Sequence, residues 1–323
     1  MSSFVRLPRI LRSLTVVALV VACGLVAAAT SPRLAAQTRA SRSTDHLMYV
    51  SVLNKDGAPV TNLSAADFVV REDGVAREVV RAEKATEPIM LSVLVDTSQA
   101  AAPYIPDVRR ALAGFVKRMA ERNRVAIIGF GERPTVFTDY TRDMPLLQKG
   151  VDRVFPIAGS GSYLLQAVEE TCDRLAKLDF ERAVIVAITD GGSEFSDQDY
   201  QQAVSAVRAS GATFDAMVFN IATPNLADFG QRNREMFLDA ATSATGGTRA
   251  LLLSSMAIDD ALSHLADELA NQYRITYGRP ESIIPPKKIE VSVRQPGLTA
   301  RGTPVLVRQR CPGGAGPRRR APP

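Results

Sequence analysis

The chain contains no tryptophan, only two histidines and only three cysteines in 323 residues. His46 and His264 lie in different segments with no cysteine pair beside either, so no zinc ligand set is evident. Each reads as a surface or packing residue. Three cysteines make no disulfide framework. Cys172 falls in a helical pattern and reads as a small buried hydrophobe, while Cys311 lies in a Pro/Gly-rich tail. Aromatic residues are 6% of the chain, so the core must rest on Val, Leu, Ile and Ala. A phosphate loop is also missing: no G-K-S/T follows the run Gly159-Ser160-Gly161-Ser162. That run is not a nucleophile elbow either, which needs G-x-S-x-G between strand and helix.

What is present is an ordinary globular balance, 46% apolar and 23% charged. The net charge of +5 is concentrated at the ends. Residues 1–36 carry Arg6, Arg9, Arg12 and Arg33 and no acid, so removing them lowers the charge to +1. From Arg308 onward there are five arginines and no acid, which leaves the part between at −4. An acidic middle gives no reason to expect nucleic acid as a partner.

The N-terminus reads as an export signal over residues 1–36. Arg6, Arg9 and Arg12 form a positive region, Leu14 to Ala29 is almost wholly apolar, and Ala36 precedes a cleavage point at Gln37. The apolar run is shorter than the about 20 residues of a spanning helix. Val20-Val21-Ala22-Cys23 resembles a lipoprotein cleavage box that would make Cys23 a lipid anchor, but the residues after Cys23 stay apolar where a lipoprotein turns polar. The expected location is the periplasm or the exterior.

Residues 37–88 have β texture. Leu47 to Leu53 is a strand before the turn signal Asn54-Lys55-Asp56-Gly57, and Phe68 to Arg71 turns at Glu72-Asp73-Gly74 into Val75 to Val80. From 89 to 272 strands and helices alternate. Ile89 to Val95 is a continuous apolar run, as expected of a strand buried on both faces. Val108, Leu112, Phe115, Val116 and Met119 follow at helix spacing. Arg124 to Phe130 is a second buried strand, and Pro134 to Tyr140 an edge strand, because Pro134 cannot donate to a ladder. Helices are expected over Tyr163 to Leu178, Asp197 to Ser210, Gln231 to Thr245 and Met256 to Gln272. Strands are expected over Ala183 to Ile188, Thr213 to Phe219 and Arg249 to Leu253. Such alternation implies an α/β fold, a doubly wound, mostly parallel sheet covered on both sides. Residues 273–308 return to β texture and would join the N-terminal strands in one small β module. The tail over 309–323 reads as disordered and basic.

Ligands of a doubly wound sheet sit beyond the carboxyl ends of its strands. The loops to read are those following Val95, Ile157 and Ile188. The first is Asp96-Thr97-Ser98-Gln99-Ala100, a carboxylate with hydroxyls behind it that suits Mg²⁺ or Ca²⁺. The second ends in Ser162, and the third is Thr189-Asp190-Gly191-Gly192. Plain alternatives exist for each: Asp96, Ser98 and Ser162 could cap helices, and Asp190-Gly191 could be a turn.

With these three loops in place the chain resembles the von Willebrand factor type A family, a Rossmann-like fold. Its metal-ion-dependent adhesion site has D-x-S-x-S after the first strand, a Thr in a second loop and an Asp after the fourth main strand. Asp96 and Ser98 match the first two positions, Ser162 stands in place of the Thr, and Asp190 matches the distal Asp. Ala100 stands where the second Ser belongs and has no oxygen to offer. The segments Leu63 to Phe68, Glu72-Asp73-Gly74, Asn271 to Tyr277 and Arg294 to Leu298 are similar to a bacterial group of exported type A-related proteins, over roughly 45–308.

The resemblance implies an adhesion or protein-binding module. Asp96, Ser98, Ser162 and Asp190 would hold Mg²⁺, with Ca²⁺ or Mn²⁺ less favoured, and a carboxylate of an unidentified protein ligand would complete the shell. Ala100 implies weakened Mg²⁺ affinity. Two other readings differ in class. One is a structural or assembly protein with a vestigial metal site, which Ala100 favours. The other is a metal-dependent hydrolase using Asp96, for which no general base is evident. The chain is thus expected not to be an enzyme.

Overall fold

The computed structural model describes residues 43–190, 192–219, 227–280, 286 and 288–304. The expected signal peptide, the alternative anchor residue Cys23, Gly191, Cys311 and the basic tail lie outside the described residues. Four strands open the described chain: β1 (Ser43–Leu53), β2 (Phe68–Glu72), β3 (Val75–Arg77) and β4 (Val79–Lys84). The alternating part follows as β5 (Ile89–Val95), α1 (Ile105–Ala120), β6 (Arg124–Gly129), β7 (Thr135–Thr141), α2 (Met144–Asp152) and α3 (Leu164–Ala176). It continues with β8 (Arg182–Thr189), α4 (Tyr200–Ser210), β9 (Thr213–Phe219), α5 (Phe229–Thr245), β10 (Arg249–Leu252) and α6 (Ala257–Ala270). Three strands close it: β11 (Tyr273–Pro280), β12 (Ile289–Val293) and β13 (Thr299–Pro304).

The apolar runs become the centre of a six-stranded sheet of order β10-β9-β8-β5-β6-β7. Every residue of β5 and β8 is buried. All neighbours are parallel except β7, which runs antiparallel along β6 at the edge. Pro134 sits just outside β7, where its missing N–H costs the ladder nothing. Alternate residues of β5 face opposite layers. Leu91, Val93 and Val95 pack with α1, α2 and α6, while Met90 and Leu94 pack with α3, α4 and α5. Helices thus cover both faces, as the alternation requires.

The strand order reverses at β5. The chain passes from β5 to β6 on one side, and β8 later returns to the other side of β5. The carboxyl ends of β5 and β8 lie side by side, with Val95 in register with Ile188. This is the switch point at which a crevice opens.

The flanking segments form two antiparallel sheets, β13-β1-β11-β4 and β12-β2-β3. Met48, Val50, Val52, Phe68, Val70, Tyr273 and Ile275 make their shared core. The expected single strand Val75 to Val80 is broken at Glu78. Its first part pairs with β2 and its second with β11, and the Glu78 carbonyl accepts from Gly278 N between them. Helix α2 has no counterpart in the sequence reading. It is short, starts with a Pro in its first turn, and is capped by Asp143, whose carboxylate accepts from Leu146 N at 3.1 Å.

Candidate functional site

Asp96 is the first residue beyond β5 and Asp190 the first beyond β8. The register of the two strands places both at the switch point, and both are buried. The loops are bound to each other. Thr189 Oγ1 donates to Asp96 Oδ2 at 3.0 Å, and Ile157 N donates to the Thr97 carbonyl at 2.8 Å. Gln99 N donates to the Ser160 carbonyl, and Gly159 N to Gln99 Oε1. Ser162 bridges to Glu194 in parallel fashion, and Phe195 N donates to the Ser162 carbonyl at 2.8 Å. The structure therefore brings the Asp96, Ser162 and Asp190 loops together. The second loop differs from expectation in one respect: Ile157 ends no strand, because the chain from α2 to α3 is irregular there.

The capping alternatives fail for the first two loops. Helix α1 begins at Ile105, with Tyr104 at its cap, too far from Asp96 and Ser98 for either to cap it. Asp96 Oδ1 instead accepts from Ser98 N at 2.8 Å and tightens its own loop. Helix α3 has Tyr163 at its cap position with no side-chain bond. Ser98 Oγ and Ser162 Oγ are both buried, and neither makes a hydrogen bond of normal geometry among the described residues. Buried hydroxyls are almost always satisfied, so two such groups in adjoining loops are candidates for binding a ligand. The turn reading of Asp190 holds in part, since its Oδ1 accepts from Gly192 N at 2.8 Å.

Burial raises the pKa of Asp96, and the charge of Asp190 raises it further. Hydrogen bonds from Ser98 and Thr189 pull it down. A divalent ion would relieve this repulsion between two carboxylates. Two carboxylates and two hydroxyls form an all-oxygen donor set that fits a hard ion such as Mg²⁺. Among the described residues no group of three or more His, Cys, Asp or Glu side chains could hold a metal ion. A metal here would depend on hydroxyl and water ligands. Ala100 is exposed on the same loop, and a Cβ placed on Gly192 would stand 3.2 Å from the Ala100 Cβ. The missing hydroxyl is therefore lost beside Asp190.

Three residues of the site escape a reading by motif. Thr189 holds Asp96 from the neighbouring strand. Glu194 is buried, and burial pushes its carboxyl up to about 7. Its Oε2 accepts from Leu164 N at 3.1 Å and its Oε1 from Ser196 N and the Ser196 hydroxyl, so it fixes the start of α3. Arg234 of α5 is fully buried, with NH1 3.9 Å from Asp190 Oδ1. A signal for Arg234 exists in the sequence: it falls at helix spacing on the stripe of Phe237, Leu238 and Ala241, where a charge is out of place.

The family model described as von Willebrand factor type A domain matches residues 91–193. No curated relative matches the chain. Similar solved structures include BatB from Bacteroides thetaiotaomicron, 14% identical, covering 56% of this chain and 98% of that one with a TM-score of 0.43. The vWF domain of the type V pili tip protein Mfa5 from Porphyromonas gingivalis is 13% identical, with coverage of 57% and 96% and a TM-score of 0.44. An aerotolerance-related membrane protein from Bacteroides fragilis is 18% identical, with coverage of 55% and 98% and a TM-score of 0.42. The matched residues span β5 to β8 and carry Asp96, Ser98, Ser162 and Asp190. Over residues 91–193 the chain is similar to the von Willebrand factor type A domain.

Proposed function

We propose that the chain is an exported protein-binding module of the adhesion type, acting through a degenerate metal site at the switch point of its sheet. Asp96, Ser98, Ser162 and Asp190 would hold Mg²⁺ there. When bound, the ion offers a coordination position to an acidic side chain of a protein partner. The observation that carries this reading is the pair of buried hydroxyls of Ser98 and Ser162, which make no hydrogen bond of normal geometry among the described residues, beside two buried carboxylates. This chain's own loops do the positioning: Thr189 and Ser98 N fix the two oxygens of Asp96, and Gly192 N fixes one of Asp190. Residues 89–272 would form the binding domain, and the flanking strands would orient it.

Export rests on the arginine-led apolar segment of residues 1–36. Among the described residues no helix is long and apolar enough to cross a membrane. The periplasm or the exterior is the proposed location.

Ala100 favours a second reading, a structural or assembly protein whose metal site is vestigial. A hydrolase finds less support, because both oxygens of Glu194, the near-neutral carboxyl beside the site, are already occupied. Pull-down of the mature protein in excess Mg²⁺ and in chelator, with wild type and Asp96→Ala, tests the choice. Capture that needs Mg²⁺ and fails in the variant is the expected result. Capture indifferent to both chelator and substitution would replace the adhesion reading with the vestigial one.

A further inference from the structure

Arg234 is fully buried, and its three guanidinium nitrogens find no hydrogen-bond partner among the described residues. Such a group is costly to bury, because a guanidinium stays charged at any ordinary pH and loses its water. It is held in place from both sides. Asp228 caps α5, accepting from Gln231 N at 2.7 Å. Asn233 fastens the same turn to the start of α4, accepting from Tyr200 N and donating to the Gln198 carbonyl. Gly230 lets α5 approach the Glu194 loop, since a Cβ there would stand 2.1 Å from the Glu194 carbonyl oxygen.

What faces the guanidinium is negative. Asp190 Oδ1 lies 3.9 Å from NH1, and Glu235 Oε1 lies 3.8 Å from NH2. The Arg234 charge also acts on Glu194. These distances are too long for hydrogen bonds and short enough for strong Coulombic attraction in a dry interior. Arg234 therefore acts as a point of positive charge and not as a fork clamped on one carboxylate.

We propose that Arg234 is a resident counter-ion of the Asp96–Asp190 pair, which keeps the site folded without metal and lowers its affinity for Mg²⁺. The inference rests on the metal-site reading above and names the residue that sets its occupancy. A fixed positive charge next to a ligand repels an incoming divalent ion, and it also supplies part of the neutralisation that the ion would bring. The lost hydroxyl at Ala100 removes one neutral ligand. Arg234 has a separate effect, through charge.

The test compares wild type with Arg234→Met, which keeps the bulk of the side chain and removes the charge. Mg²⁺ is titrated calorimetrically at pH 8, and melting is followed in chelator and in millimolar Mg²⁺. Arg234→Met should bind Mg²⁺ about tenfold tighter or more, melt lower in chelator and recover in Mg²⁺. Wild type should gain less from Mg²⁺ than the variant does. A folded Arg234→Met that binds no tighter than wild type overturns the inference and leaves the metal site standing. Absence of Mg²⁺ binding in both proteins overturns the metal site together with the inference. If the variant does not fold in either buffer, wild type decides: a rise of several degrees on adding Mg²⁺ overturns the inference.

Discussion

At the residue scale, charges kept inside the protein govern its behaviour with pH. Asp215 of β9 is buried, and its Oδ1 accepts from Thr248 N at 2.8 Å and Thr248 Oγ1 at 3.1 Å. Burial first, and the neighbouring charge of Glu268 second, push its carboxyl from 3.8 to about 7. Between those two values the folded protein holds a proton that the unfolded chain has released. Stability from this residue is therefore fully present at acid pH and falls as pH rises through about 7. Glu194, also raised to about 7, adds in the same direction. Asp215→Asn should flatten the fall in melting temperature between pH 5 and pH 8, roughly by the share of one such carboxyl. An equally steep fall in the variant would show that Asp215 does not carry it. Of the candidate site residues, Asp96 and Asp190 were legible because each follows an apolar run, and Ser98 and Ser162 through the family motif. Arg234 was missed although it lies on the apolar stripe of its helix, because its facing Asp190 comes from a distant strand end.

At the scale of elements, long apolar or strongly periodic segments announce themselves. β5, β8 and β9 are buried at every position, and their runs of apolar residues leave no polar face to present to water. Helix α1 buries Val108, Leu112, Phe115, Val116 and Met119, the residues spaced for one face. Short elements escape because few residues carry the pattern. Helix α2 has only nine residues, and the break at Glu78 depends on two sheets competing for one segment. The contact between α5 and the Glu194 loop belongs to this scale as well. A Cβ at Gly230 meets backbone there, which cannot rotate away as a side chain could. Gly230→Ala should destabilise the protein by about 1–3 kcal/mol through overpacking. Urea denaturation measures it, and an unchanged midpoint would mean that helix and loop separate freely.

At the scale of the molecule, the β strands at the two ends of the described chain are fastened to the α/β part by buried and half-buried polar contacts. Arg182 of β8 donates to the Leu269 carbonyl at 2.6 Å and to Gln272 Oε1 at 2.5 Å, and Gln272 Nε2 donates to Ser51 of β1 at 2.8 Å. Arg301 of β13 reaches both oxygens of Glu268 at 2.7 Å. A Cβ on Gly246, at the end of α5, would stand 2.4 Å from the Gly302 carbonyl oxygen. Pulling the flanking strands away would strand these groups unpaired, at a cost comparable to the stability of a small domain. Calorimetry should accordingly show one cooperative unfolding transition for the mature protein, and two separated transitions would refute the coupling. The alternation of strands and helices, the two-faced burial of the sheet and the three candidate site loops were all legible in the order of the residues. These follow from local periodicity and from residues at the ends of runs. The folded arrangement alone sets the burial of the Ser98 and Ser162 hydroxyls and brings an arginine from a distant helix to face Asp190. It alone also decided that Asp215 is enclosed near Glu268 and Arg301. Those facts depend on which segments meet across the fold, and burial of a charge is a property of all its neighbours at once.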